Sequence, residues 1–238
     1  MTVNAQIALA TESLANAIRL YSPAVFTTSL GSEDMVLLDL IHRHRLDVQV
    51  LTLDTGRLHD ETYALLDQVQ ETYGKRIEVL FPDAQALEPF VAREGVNAFY
   101  RSLELRKQCC EIRKVQPLRR ALKGKRLWIT GLRRAQSTTR VDLPALAHDA
   151  QYDLMKINPL LDWSSAQVAD YLRQFGVPTN ALHQRGYPSI GCAPCTRAIS
   201  VGEDERAGRW WWEQAQSREC GLHMAPDGAR QFFKTEAV

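Results

Sequence analysis

Apolar positions in this chain fall into short β-branched or aromatic runs separated by longer amphipathic stretches, a pattern that predicts strands alternating with helices. An amphipathic helix is predicted over 5–20, and Val25-Phe26-Thr27-Thr28-Ser29-Leu30 reads as the first strand. The turn Gly31-Ser32-Glu33-Asp34 leads into Met35-Val36-Leu37-Leu38-Asp39-Leu40-Ile41, whose apolar density suits a buried helix. A second strand over 48–53 ends at Asp54-Thr55-Gly56, and a helix over 58–73 follows. A third strand is predicted over 76–81 and another helix over 84–94. Leu127-Trp128-Ile129-Thr130 reads as a fourth strand, and 154–157 as a further strand or edge segment. Ser164 and Gln167 have capping-box spacing and open a helix that stops near Gly176-Val177-Pro178.

This alternation predicts an α/β fold with a mostly parallel sheet and helices on both faces. Ligands in such sheets sit beyond the carboxyl ends of the strands. Three turns are placed there: 29–32, 54–56 and 131–137. The first has the strand, Gly/Ser turn and helix start that hold anions on backbone N–H groups. Asp54 reads equally well as a turn former. A helix starting at Cys109 and running through Leu122 would put Cys110 and Lys114 on one face, with Pro117 as an internal complication. Residues 203–212 read as a helix that turns Arg206 and Arg209 the same way, with Trp210, Trp211 and Trp212 as packing groups. No period is evident over 226–238, which is read as a mobile tail.

The chain has 238 residues, 45% of them hydrophobic and 24% charged, with a formal net charge of +1. One domain with a substantial core is expected, and bulk nucleic-acid binding is not. Two arginine groups stand out, Arg133, Arg134 and Arg140, and Arg197, Arg206 and Arg209. Each can hold a small anion or be solvated surface. The first twenty residues lack the basic start and apolar core of a signal peptide, and no apolar run is long enough for a membrane span, so a cytoplasmic setting is expected.

In a reducing compartment, closely spaced cysteines read as ligands or catalysts and not as disulfides. Of five cysteines, Cys109 and Cys110 are adjacent, Cys192 and Cys195 form a Cys-x-x-Cys pair, and Cys220 stands apart. Four thiolates suit Zn²⁺ or a [4Fe–4S] cluster. Adjacent side chains on a helix diverge by about 100°, which favours a larger body with separate iron corners over one central ion. Cys220 lies in Arg218-Glu219-Cys220-Gly221-Leu222-His223, where cations or His223 can lower a thiol pKa. The other reading of Cys220 is an inert cysteine in a loose tail.

Taken together, Cys109-Cys110, Cys192-Ala193-Pro194-Cys195 and Glu219-Cys220-Gly221-Leu222-His223 resemble the assimilatory sulfonucleotide reductases, specifically the iron–sulfur-containing adenylyl sulfate (APS) reductases. Ser29-Leu30-Gly31-Ser32-Glu33-Asp34, Leu53-Asp54-Thr55-Gly56 and Gly131-Leu132-Arg133-Arg134 support the resemblance, which spans residues 28–223. It implies an adenine nucleotide α-hydrolase-like fold with a modified PP-loop. It also implies a nucleotide-binding domain over 1–215 and a mobile segment over 216–238 that carries the catalytic cysteine. Cys109, Cys110, Cys192 and Cys195 would hold a [4Fe–4S] cluster. Ser29, Gly31, Ser32, Gly131 and Arg140 would seat the nucleotide, with Lys114 between cluster and substrate. Arg206, Arg209 and His223 would surround the phosphosulfate. Cys220 would attack sulfur, expel AMP and carry an S-sulfonate, which an outside reductant, thioredoxin or a glutaredoxin-like protein, would release as sulfite. The four ligand cysteines point to APS over its 3′-phosphorylated form, PAPS, with dual use as the alternative. No nucleic acid or membrane partner is implied, and a homo-oligomer is compatible with it. Two rivals stand beside this reading: an ATP-dependent PP-loop tRNA thiolase, and a nucleotide sensor in which Cys220 is incidental.

Overall fold

The structure is a computed structural model that describes residues 3–136, 140–214 and 232–233. Its elements run α1 (Val3–Tyr21), β1 (Ala24–Thr28), α2 (Ser32–Arg43), β2 (Gln49–Leu53), α3 (Asp60–Tyr73), β3 (Glu78–Leu80) and α4 (Ala84–Glu94). After these come α5 (Leu103–Cys110), a π turn (Glu111–Val115), α6 (Gln116–Leu122), β4 (Leu127–Ile129), β5 (Leu146–Asp149), β6 (Leu154–Ile157), α7 (Ser165–Phe175) and β7 (Phe232–Phe233). The predicted α/β alternation is therefore present, with strand and helix ends moved by a residue or two.

The sheet order is β3-β2-β1-β4-β6-β5-β7. The strands from β3 to β6 pair in parallel, whereas β5 joins β6, and β7 joins β5, antiparallel. Both β5 and β7 fall where the hydrophobic pattern predicts no element, and β6 is an interior strand. The chain starts at β1, winds outward to β3, then returns to the other side of β1 with β4. That reversal leaves a crevice above the carboxyl ends of β1 and β4, the place where open α/β sheets bind ligands.

Strand alternation feeds two cores. Phe26, Leu127 and Ile129 pack toward Leu14 of α1, Met35 and Leu37 of α2, Leu65 and Val69 of α3 and Tyr171 of α7. Val25, Leu51, Trp128 and Leu154 face the other way, onto Leu118 and Leu122 of α6. Each fully buried aliphatic side chain contributes about 1.5–3 kcal/mol, so both faces must be covered for the sheet to persist. Among the described residues, no helix is long and apolar enough to cross a membrane.

Two local expectations are corrected. The helix around the cysteine pair starts at Leu103, with Ser102 accepting the Leu105 N–H at its cap, and gives way to the π turn after Cys110. Pro117 explains the break: it has no N–H to donate and its ring would collide with the carbonyl four residues earlier. A π turn just before it lets α6 restart with the proline in its first turn. Residues 203–212 are not a helix but a series of turns that fold back on the Cys195 loop. Arg197 N–H donates to the Gly208 carbonyl at 3.0 Å, and a Cβ on Gly208 would stand 2.3 Å from the Arg197 carbonyl oxygen. This close approach, and Trp210 at φ +43°, override the helical pattern.

One buried carboxylate ties three helices together. Asp39 of α2, 2% exposed, accepts hydrogen bonds from Arg43 Nε at 2.5 Å, Tyr171 Oη at 2.7 Å and Tyr73 Oη at 3.1 Å. Removing it leaves two phenol groups and a guanidinium without their acceptor. Asp39→Ala is expected to cost about 3 kcal/mol in urea unfolding, and Tyr171→Phe about 1 kcal/mol. Equal losses from the two variants would show that the carboxylate is not the hub.

Candidate functional site

The loop after β1 is shaped by its own side chains. Leu30 holds a left-handed backbone at φ +60°, and its N–H donates to Thr28 Oγ1 at 2.9 Å. Both the N–H and the hydroxyl of Ser29 donate to Asp34 Oδ2, at 2.6 and 2.8 Å. Asp34 lies in the first turn of α2, where a negative charge complements the helix dipole. Burial nevertheless pushes its pKa up to about 6, against the lowering effect of the Ser29 hydrogen bonds. Ser32 starts α2 and pairs with His183 Nε2 at 3.2 Å. The other ring nitrogen faces the Tyr187 carbonyl at 2.8 Å, so Nδ1–H donates to it and fixes the ring's orientation.

The loop after β4 presses against this turn. A Cβ on Gly131 would lie 2.3 Å from Asp34 Oδ1 and 3.3 Å from the Asp34 backbone nitrogen. Only glycine lets the two loops meet at that distance. Between and above them opens a cavity of about 240 Å³. Ser29, Gly31, Asp34, Thr130 and Gly131 line one side, Lys114 and Leu118 another, and Ser189–Cys192 with Arg206, Arg209 and Trp210 a third; Arg140 and Gln136 complete it. Arg209 donates to Ser189 Oγ at 3.3 Å and to the Ile190 carbonyl at 3.2 Å, and crosses the face of Gly191, where a Cβ would meet its guanidinium at 2.3 Å. Arg140 is held by Gln136.

Four cations, Lys114, Arg140, Arg206 and Arg209, thus face one small volume, and Glu33, Asp34 and Glu205 are the carboxylates on its wall. The other arginines singled out by sequence are engaged elsewhere. Arg133 is buried and donates to Glu33 at 2.7 Å, to the Trp163 carbonyl at 3.1 Å and to Ser165 at 3.2 Å. Arg134 pairs with Asp162, and Arg197 makes a two-pronged pair with Glu203. Asp54 acts as a turn former, accepting the Gly56 N–H at 2.7 Å and the Tyr63 hydroxyl at 2.9 Å.

Next to the cavity, Cys109, Cys192 and Cys195 share a buried patch with Phe99, Trp210 and Trp212, and Cys110 follows Cys109 at the end of α5. None of the four is in a disulfide. Thr55 Oγ1 lies 3.2 Å from Cys192 Sγ, and Arg113 donates to the Thr55 carbonyl at 2.6 Å. The Ala193 N–H donates to the Arg57 carbonyl at 2.7 Å, and the Tyr100 hydroxyl to the Pro194 carbonyl at 2.6 Å. Burial pushes the Cys195 thiol up to about 12 and raises that of Cys109, so a metal centre here must displace protons. Among the described residues, no group of three or more Cys, His, Asp or Glu side chains closes around a single metal ion. A set of four sulfurs, two on adjacent residues and near Lys114 and Arg113, fits a larger anionic body with separate corners.

Ser29, Gly31, Lys114, Gly131, Arg140, Arg206, Arg209 and Cys192 therefore meet at one cavity. Ser32, bonded to His183, is not among the residues that line it, and of the other cysteines Cys109 and Cys195 pack in one patch with Cys192. Cys220 and His223 fall outside the described residues. Sequence reasoning missed the roles of Asp34, His183 and the Ser189-Ile190-Gly191 segment. The acid at 34 was visible beside the glycine turn, but its bonds to Ser29 were not. No spacing signal links His183 to Ser32.

The phosphoadenosine phosphosulfate reductase domain family matches residues 23–198. The adenosine 5′-phosphosulfate reductase of Allochromatium vinosum is 52% identical over 230 residues, 97% of this chain and 90% of that one. That of Rhizobium meliloti is 53% identical over 206 residues, 87% and 77% of the two chains. Among solved structures, the phosphoadenylyl-sulfate reductase of Candida auris in a phosphate complex superimposes with a TM-score of 0.67 at 29% identity, covering 80% of this chain and 90% of that chain. The FMN adenylyltransferase of Candida glabrata, at 16% identity and a TM-score of 0.57 over 84% and 69% of the two chains, shares the fold.

Gly131→Ala is expected to weaken AMP binding by at least about tenfold in calorimetry while leaving the circular-dichroism spectrum unchanged, because the added methyl must push Asp34 and its loop aside. Binding within about twofold of the parent would show that the loops separate freely. Asp34 gives a pH signature. Its folded pKa lies above the unfolded value of 3.8, so between about 4 and 6 the folded chain retains a proton that the unfolded chain has lost. Stability contributed by this group therefore falls as pH rises through that window, by on the order of 2–3 kcal/mol in total. Denaturation of the parent and Asp34→Asn across pH 4–7 should show this component in the parent alone; parallel curves would remove it.

Proposed function

We propose a reaction from the premise that this chain belongs to the phosphoadenosine phosphosulfate reductase domain family: it is an adenosine 5′-phosphosulfate reductase, converting APS to sulfite and AMP. The observation that carries this reading is the set of four cations around one cavity that begins at a phosphate-loop turn and ends at a cysteine patch. A phosphosulfate brings negative charge on both the phosphate and sulfuryl groups, and the attacking thiolate adds more. Lys114, Arg140, Arg206 and Arg209 offset that charge, and their preorganised positions stabilise it further as it builds on the leaving AMP. The turn at Ser29–Ser32 and Gly131 seats the nucleotide, with the α2 N-terminus directed at it.

In this reading the Cys220 thiolate attacks the sulfuryl sulfur. A sulfur–sulfur bond forms, the sulfur–oxygen bond breaks, and AMP leaves with the electron pair. His223 joins the arginines near the phosphosulfate. A thiolate of an outside dithiol, thioredoxin or a glutaredoxin-like protein, then attacks Cys220 Sγ and expels sulfite. Its second thiol resolves the mixed disulfide, so the dithiol supplies both electrons. Such reductants hold their thiol form in the cytoplasm, where we place the reaction. Cys109, Cys110, Cys192 and Cys195 would hold a [4Fe–4S] cluster, which when bound supplies anionic charge beside Lys114 and cross-links α5 to the Cys192 loop. APS is favoured over PAPS because the roughly half-identical relatives carry the APS name, whereas the PAPS reductase is more distant.

Intact-protein mass spectrometry of anaerobically purified, iron-replete chain mixed with APS and no reductant is expected to show an added SO₃, absent from Cys220→Ser. Addition of thioredoxin should remove the adduct and release sulfite. An unmodified parent chain would refute the covalent step.

A further inference from the structure

Two carboxylates on the cavity wall, Glu33 and Glu205, meet the same buried guanidinium. Arg133, 2% exposed, donates through Nε to Glu33 Oε1 at 2.7 Å, and its Nη2 lies 3.5 Å from Glu205 Oε2. Ser165 Oγ, at the start of α7, accepts from Arg133 Nη2 at 3.2 Å and donates to Glu205 Oε1. Both oxygens of Glu205 are therefore engaged. The backbone N–H of Arg133 donates to Gln136 Oε1, the atom that also accepts from Arg140. One interior cation thus joins the first turn of α2, the loop after β4 and the turns over 203–210. Glu205 directly precedes Arg206 there, and Arg206 and Arg209 both line the cavity. Within this segment the Arg206 N–H donates to Asp204 Oδ1 at 2.8 Å and the Arg209 N–H to the Arg206 carbonyl at 2.9 Å. Those bonds shape the turns, but the contacts of Glu205 fasten them to the half of the molecule that carries the phosphate-loop turn.

We propose that Glu205 is a positioning residue: held by Arg133 and Ser165, it fixes the turns that carry Arg206 and Arg209, and so their grip on the anionic group beyond the α-phosphate. The proposal rests on the reading of the cavity as a phosphosulfate site. By charge alone, a carboxylate on the wall of such a cavity repels the ligand. Its presence there is accounted for by what it holds. An isolated surface ion pair contributes little, because two long side chains must be ordered to make it. Here Arg133 is already fixed by burial, by Glu33 and by the Trp163 carbonyl at 3.1 Å, so only Glu205 has to be ordered. Cations aimed in advance at the sulfuryl end stabilise its charge without having to reorganise when the ligand arrives. Charge and positioning therefore predict effects of opposite sign when Glu205 is removed.

Two measurements on iron-replete protein test this, with AMP and ADP as unreactive probes; the β-phosphate of ADP stands where APS has its sulfuryl group. The parent is expected to bind ADP more tightly than AMP in calorimetry. Glu205→Ala should lose at least about fivefold in ADP affinity while AMP affinity stays within about twofold of the parent, although the variant has removed a negative charge from the cavity wall. Hydrogen exchange of the 203–210 amides should quicken at least about tenfold in the same variant, because the turns lose their tie to Arg133 and Ser165. ADP affinity equal to or tighter than the parent's overturns the proposal and leaves Glu205 as a like charge only. Weaker ADP binding with unchanged exchange also overturns it, since the loss would not come through the turns. If the parent binds ADP no better than AMP, the phosphosulfate reading of the cavity has failed, while the exchange result still decides whether Glu205 holds the turns.

Discussion

The contact between Asp34 and Gly131 is the constraint on which the upper half of the molecule depends. The sheet reverses direction between β1 and β4, so the loops leaving those strands must cross the same crevice. With a side chain at position 131 they would be held apart by a clash of 2.3 Å. With glycine they touch, and the Asp34 carboxylate is left with one oxygen against the neighbouring loop and the other bonded twice to Ser29. Asp34 thereby links the position of the β4 loop to the shape of the phosphate-loop turn. Burial of this acid is unfavourable to its charged form, as its raised pKa shows, and two short hydrogen bonds offset only part of that. A simple surface turn would not need such an acid; a turn that must present its backbone to a charged ligand does.

Electrostatic selection among the arginines follows from the same architecture. The cluster at 133–140 contains cations of different kinds once folded. Arg133 is turned away into Glu33, Trp163 and Ser165, where it ties the β4 loop to the starts of α2 and α7. Arg140 remains on the cavity wall. Arg140 donates to Gln136, and Arg209 to Ser189 and the Ile190 carbonyl, contacts that orient each guanidinium on the cavity wall.

Much of this was legible in the sequence, and the failures have local causes. Strand and helix alternation was readable because Val25, Phe26, Leu127 and Ile129 sit in short apolar runs whose period matches a sheet covered on both faces. The Ser164 and Gln167 spacing located α7 because the capping box is a local interaction. The cysteine pairs and the glycine turns stood out because few other structures need those residues at those spacings. What failed was non-local. The run from Glu203 to Trp212 has helical composition, but Gly208 is pressed against the Arg197 backbone, and that contact is made by residues eleven positions apart. The β5 strand has weak apolar character because it lies toward the sheet edge and pairs antiparallel. The bond between Ser32 and His183 joins residues 151 positions apart and leaves no periodic trace.

The break between α5 and α6 shows how one proline organises two sites at once. An uninterrupted helix over 103–122 would carry the carbonyl of Arg113 into the ring of Pro117. The π turn removes that collision by admitting one extra residue per turn, which rotates everything after it by about 100° relative to the cysteine pair. The rotation allows Cys110 to remain buried at the end of α5 while Lys114 and Leu118, four apart, reach the cavity and Leu118 and Leu122 also pack on the sheet. With a regular helix the register that suits the cysteines would misplace the lysine or the leucines. The wide turn is therefore the device that lets one polypeptide segment serve the cysteine patch, the charged cavity and the core together.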